Sequence, residues 1–221
     1  MGAAFALGSV AFVIGPLGTY ARSVGGRNDA ITFFVGSILF TIGGLAQCAL
    51  AAPERHLPGE GRATWRTAWI QAIGTLLFNF MTFQAITIAP TSAGYNSVVW
   101  SANTAGSVCF LVSGAILYAS SPRRGWLPLR EHHGWWEAMA NLLGCVFFGV
   151  SAAAAFATDT SGSLVSLAMS NWMTTLGAAC FLACAITACG LGHTLKAPRL
   201  RTLKRIVAAI EHERAVLTEW D

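Results

Sequence analysis

Along this chain polar and apolar positions are sorted into long blocks. Six windows, roughly 2–20, 30–52, 67–89, 97–119, 138–157 and 164–192, contain no Asp, Glu, Lys or Arg. Each matches or exceeds the ~20 residues a helix needs to cross about 30 Å of hydrocarbon. A buried helix of a soluble domain rarely reaches that length, and six in succession predict an all-α, polytopic membrane protein with six transmembrane helices. The segments between them carry most of the charge and give the boundaries: a transmembrane domain over 1–192 and a basic tail over 193–221.

Composition agrees with this reading. Apolar residues make up 54% of the 221 positions and charged residues 11%, against about 25% charged in a soluble domain. The first window lacks the basic n-region of a cleaved leader and is read as a span. Basic residues then set the orientation. Arg55, Arg62 and Arg66 lie in one connection, Arg123, Arg124 and Arg130 in another, and Lys196, Arg199, Arg201, Lys204, Arg205 and Arg214 in the tail. The connections at 87–96 and 158–163 have none. The positive-inside rule then places the basic connections and both termini in the cytoplasm. The first span fits least well, because Arg22 and Arg27 follow it on the outer side and nothing basic precedes it.

An internal repeat subdivides the six windows. Each contains Gly, then a small residue, then Phe at the fourth position: Gly8 and Phe12, Gly36 and Phe40, Gly74 and Phe78, Gly106 and Phe110, Gly144 and Phe148, Gly177 and Phe181. Chance would place about one such pair in a chain of this composition. The spacings alternate short and long, which pairs the windows into three tandem hairpins, 1–52, 65–119 and 135–192, related by a pseudo-threefold axis along the membrane normal. Trp65 and Trp135, each nine residues before their Gly, reinforce the match. No such Trp precedes Gly8, so either the natural N-terminus lies upstream of Met1 or the first copy is degenerate.

The motif has a physical reason. Lipid tails give helices no hydrophobic drive to associate, so small residues that permit close backbone approach supply the contact. Gly and Phe four apart share a helix face and present a notch beside a knob. Three residues before each Gly, on that face, stand Phe5, Phe33, Gln71, Asn103, Asn141 and Thr174. Gln71, Asn103, Asn141 and Thr174, with Asn79 and Gln84, either hydrogen-bond between helices or line a path for a small solute. Both readings stay open.

Asn28-Asp29 followed by Gly36-Ser37-Ile38-Leu39-Phe40 and Gly43 resembles the signature of the YrhK-like small bacterial membrane-protein family, a two-helix unit. The resemblance covers the first hairpin best, and Asn-Asp is not repeated before the fourth and sixth windows. It implies the hairpin architecture and no activity.

Reactive chemistry is sparse. No ionisable group stands at a span centre, where such groups mark proton relays or ion paths, and all five histidines lie outside the spans. No catalytic residue, cofactor site or metal site is assigned. The six cysteines, including Cys180, Cys184 and Cys189, read as soft packing residues. His132-His133 with Glu131 and Glu137 is an interfacial cluster that leaves a lipid-modifying enzyme as a distant alternative. In the tail, Leu200, Leu203, Val207, Ile210 and Leu217 form one stripe of a helix that Pro198 would start. Such a helix lies on the anionic inner leaflet or docks a protein partner or second copy. The expectation is a non-enzymatic scaffold or accessory subunit of a membrane assembly, with lipid and protein but no nucleic acid as partners. A channel or carrier for a small neutral or weakly polar solute is the alternative. Twelve Arg against two Lys, with abundant Ala and Gly, point to a bacterium and hence to its inner membrane.

Overall fold

A computed structural model describes residues 1–121, 123–124, 127–128, 134–158 and 163–190. These residues are helical almost throughout. Helices α1 (Gly2–Ile14), α2 (Gly18–Val24) and α3 (Gly26–Ala51) are followed by a 3-10 turn over Ala52–His56. Then come α4 (Glu60–Gln84), a π-helical stretch over Tyr95–Trp100 and α5 (Ser101–Ser120). A two-residue antiparallel pair, β1 (Arg123–Arg124) with β2 (Leu127–Pro128), precedes α6 (Trp135–Ala154). Helix α7 covers Leu167–Gly190. Met1–Ala185 form one compact unit and the chain from Ile186 a second. The tail stripe beyond Pro198 and the His132-His133 cluster lie outside the described residues.

Among the described residues four helices are long and apolar enough to cross a membrane: Gly26–His56, Tyr95–Ser120, Trp135–Ala154 and Leu167–Gly190. Two expected spans take another form. The window 2–20 is not one straight helix, because α1 stops at Ile14 and α2 leaves at 88°. Pro16 explains the break, since it offers no backbone N–H and its ring collides with the preceding turn. Counted as one broken span, the pair would make a fifth. Thirteen residues of α1 rise only about 20 Å, short of a full bilayer core. Tyr20 and Thr32 share a 2.7 Å hydrogen bond that ties α2 to α3. Helix α4 has ample length, with 25 residues, but is not apolar enough to count by composition.

The motif residues face inward. In all six copies the Gly, the small residue after it and the Phe are buried, while the residues just before the Gly and two after it are exposed. Leu7, Val35, Ile73 and Leu143 are exposed in the first of these places, Val10, Ile38, Leu76 and Val108 in the second. Ser9, Ser37, Thr75, Cys145 and Ala178 each have 0% of their surface accessible. Small and weakly polar groups therefore sit inside and branched aliphatics outside, the reverse of a soluble bundle.

Within three helix pairs the notches and knobs are reciprocal. A methyl added at Gly8 would stand 2.8 Å from the Phe40 ring, and one at Gly36 3.1 Å from the Phe12 ring. The same exchange joins Gly74 to Phe110 at 2.7 Å and Gly106 to Phe78 at 3.1 Å. It recurs between Gly144 and Phe181 at 3.0 Å and between Gly177 and Phe148. The glycines also face one another: the same methyls would lie 2.9 Å from the Gly36 carbonyl at Gly8, and 3.2 Å from the Gly177 carbonyl at Gly144. Only a residue without Cβ permits that approach.

Candidate functional site

The six motif phenylalanines meet in one aromatic core. Phe78 touches Phe110 and Phe148, Phe110 and Phe148 both touch Phe181, and Phe12 and Phe40 join through Phe148 and Phe181. Centroid separations run from 5.2 Å for Phe78–Phe110 to 6.5 Å for Phe110–Phe148. These are ordinary distances for aromatic packing. At this level the middle of the bundle is filled by rings.

On one side of that core a cavity of about 570 Å³ opens toward the end of the bundle where α3 begins and α4 finishes. Phe12, Phe78 and Phe148 form its floor, with Phe33 and Met81 on the wall. Ile86, Ile88 and Leu164 add apolar surface from the two short connections at that end, and Leu167 adds more from the start of α7. The polar lining includes Asp29, Tyr95, Asn103, Ser170, Asn171 and Thr174, and Arg27 lines it as well. Asp29 lies in the first turn of α3, where the helix dipole favours a carboxylate. Its Oδ1 is nevertheless buried without a hydrogen-bond partner among the described residues.

The cavity wall is held by side chains that bind backbone. Asn96 donates to the Ala157 carbonyl at 2.7 Å and accepts from the Ala157 N–H at 3.0 Å. Trp100 Nε1 donates to the Ala152 carbonyl at 2.9 Å. Together these lock the π-helical entry of α5 onto the exit of α6. Ser151 bonds Thr174 at 2.7 Å and reaches Ser170, joining α6 to α7. Tyr95 and Ser151 themselves line the cavity, so the same contacts that fasten the helix ends shape its mouth.

The polar residues singled out from sequence divide between two places. Asn103 and Thr174 line this cavity. Asn79 instead donates to Thr41 at 2.8 Å, beside a 2.9 Å bond between Ser37 and Thr82, and both bonds tie α3 to α4. Gln71 is buried within α4, and Gln84 is the last residue of that helix. Asn141 lies beside Gly114 and Cys145, its Nδ2 buried without a partner among the described residues. Phe5 and Phe33, which hold the matching positions in the first hairpin, fill the notches at Gly43 and Gly15.

Sequence reasoning missed Asp29, Tyr95, Ser170 and Asn171 as cavity residues. The available signal was their position: Tyr95, Ser170 and Asn171 sit near window ends that face connections without basic residues, and Asp29 stands directly before the window that begins at Ala30. Cys184 packs near Glu137, whose carbonyl accepts a 3.6 Å contact from the Cys184 thiol. Among the described residues no group of His, Cys, Asp and Glu is arranged to hold a metal ion. No protein-family model matches the chain, and no curated protein or solved structure is significantly similar to it.

Proposed function

We propose that this chain is a non-enzymatic membrane protein that crosses a bacterial inner membrane six times, as three tandem hairpins in one orientation with both termini in the cytoplasm. In this reading it serves as a scaffold or accessory subunit of a larger membrane assembly. The observation that carries the proposal is the aromatic core: six reciprocally notched phenylalanines fill the axis and hold the helices as one packed body. Such a core favours a structural role over conduction.

Helix α4 supports six crossings despite its modest hydropathy. Its polar side chains Thr67, Gln71, Thr75 and Thr82 are buried, whereas Trp69, Ile73, Leu76, Phe80 and Phe83 form an exposed stripe spaced four and three residues apart. Between Thr67 and Phe83 every exposed residue of α4 is apolar, so that stretch presents an apolar surface to lipid whatever its average composition, while the exposed Arg62 and Arg66 lie before it. The three reciprocal Gly–Phe pairs support the hairpin repeat in the same way.

Purification in mild detergent after cross-linking in intact cells tests the role. A stoichiometric protein partner, held through the basic tail or through the exposed helix faces, is expected. Recovery of a single copy with no partner contradicts the proposal. The alternative of a carrier for a small, weakly polar solute draws support from the cavity with Asn103 and Thr174. It requires the floor of Phe12, Phe78 and Phe148 to open, and solute flux into proteoliposomes would select it.

A further inference from the structure

We propose that the cavity at the α3–α4 end is a binding site for an organic ammonium ion with a compact apolar or aromatic body. The proposal goes beyond the structural role and does not depend on it. The volume of about 570 Å³ falls inside the ~300–1,000 Å³ range of small-molecule sites. Its lining also has their usual character, mostly apolar with a few polar groups at one end.

The sign of the ligand's charge follows from Asp29. Its carboxylate lines the cavity, and one oxygen is out of solvent with no hydrogen-bond partner among the described residues. A carboxylate in that condition has lost water and gained nothing in return, a deficit that a cation entering the cavity removes. Arg27 also lines the cavity but is exposed, so water and salt screen its charge far more than that of the half-buried Asp29. The less screened charge decides which ion is attracted.

The rest of the lining fits the body of such an ion. Phe12, Phe33, Phe78 and Phe148 surround the deep end, and Tyr95 stands nearer the mouth. Aromatic faces attract ammonium groups through the ring quadrupole and accept apolar substituents equally well. Asn103 and Asn171 offer amide oxygens to N–H groups of a primary or secondary amine. An apolar molecule without charge would leave Asp29 as it is, and an anion would worsen its position.

Calorimetric titration of the detergent-purified full chain with benzyltrimethylammonium tests this, with benzenesulfonate as an anion of similar size. Saturable binding of the cation in the low-millimolar range or tighter is expected, with weaker or absent binding of the sulfonate. Asp29→Asn is expected to weaken the cation by roughly tenfold or more while leaving the melting temperature unchanged. Arg27→Gln is expected to leave cation affinity equal or raised, and it keeps the test decisive if Asp29→Asn fails to fold. The proposal is overturned by no saturable cation binding in the unsubstituted chain, by equal affinity in Asp29→Asn, by weaker cation binding in Arg27→Gln, or by preference for the sulfonate. A lipid tail filling the cavity would appear as the first of these.

Discussion

Replacing Gly74 with Ala puts a methyl group where the bundle has no room. That carbon would lie 2.7 and 2.9 Å from two atoms of the Phe110 ring and 3.1 Å from Cys109 Cβ, against about 3.5–4.0 Å for carbons in favourable contact. Phe110 cannot step aside easily. Its side chain is 1% exposed and its ring touches those of Phe78, Phe148 and Phe181. Overpacking of this kind costs about 1–3 kcal/mol, and the better helix propensity of Ala returns at most ~1 kcal/mol. A net loss of roughly 1–2 kcal/mol is expected. Unfolding of the purified protein by SDS in mixed micelles, followed by tryptophan fluorescence, measures it.

Two comparisons make that number specific. Gly94→Ala places its methyl in open space and should stay within about 0.5 kcal/mol of the unsubstituted chain. Phe110→Leu removes the obstructing ring, so the double variant with Gly74→Ala should lose less than the sum of the two singles, by about 1 kcal/mol. If Gly74→Ala behaves like Gly94→Ala, or if the two substitutions add, the notch-and-knob reasoning is wrong.

Other consequences are equally concrete. Thr82→Ala removes the partner of Ser37 between α3 and α4 and should cost about 0.6–1.7 kcal/mol in the same titration, the range for hydrogen bonds between membrane helices. Asn96→Ala removes both bonds to Ala157; faster amide exchange at residues 156–158 is the expected readout, with exchange in α1 unchanged. Val108→Arg, on the exposed face of α5, should reduce insertion of that helix by about 2.5–3.5 kcal/mol in a translocation assay. A surface position in water would tolerate the same change within about 0.5 kcal/mol.

Much of the packing was legible from sequence because close helix approach admits so few residues. Gly, a small neighbour and Phe on one face left a pattern that recurs in every apolar window, and all eighteen of those residues are buried. Three features were harder to see. The bend after Ile14 depends on Pro16, whose local effect a window average conceals. Helix α4 looks weak by composition because its polar residues are paired or buried, which only the arrangement of its neighbours reveals. The cavity is assembled from the ends of helices far apart in sequence. Asn103 and Thr174 stood out by their register with the motif, but Asp29, Tyr95 and Asn171 follow no periodicity and become neighbours only when the helices converge.

Helix α4 is where the membrane-embedded six-helix arrangement stands or falls, since its hydropathy alone does not require a span. Nitroxide labels placed singly at positions 73–78, in a cysteine-free background reconstituted into liposomes, report contact with oxygen in lipid and with a nickel chelate in water. The expected result is strong oxygen contact and no nickel contact at Ile73 and Leu76, with neither reagent reaching Gly74, Thr75 or Phe78. Nickel contact at Ile73 and Leu76 would place α4 in water and contradict the arrangement.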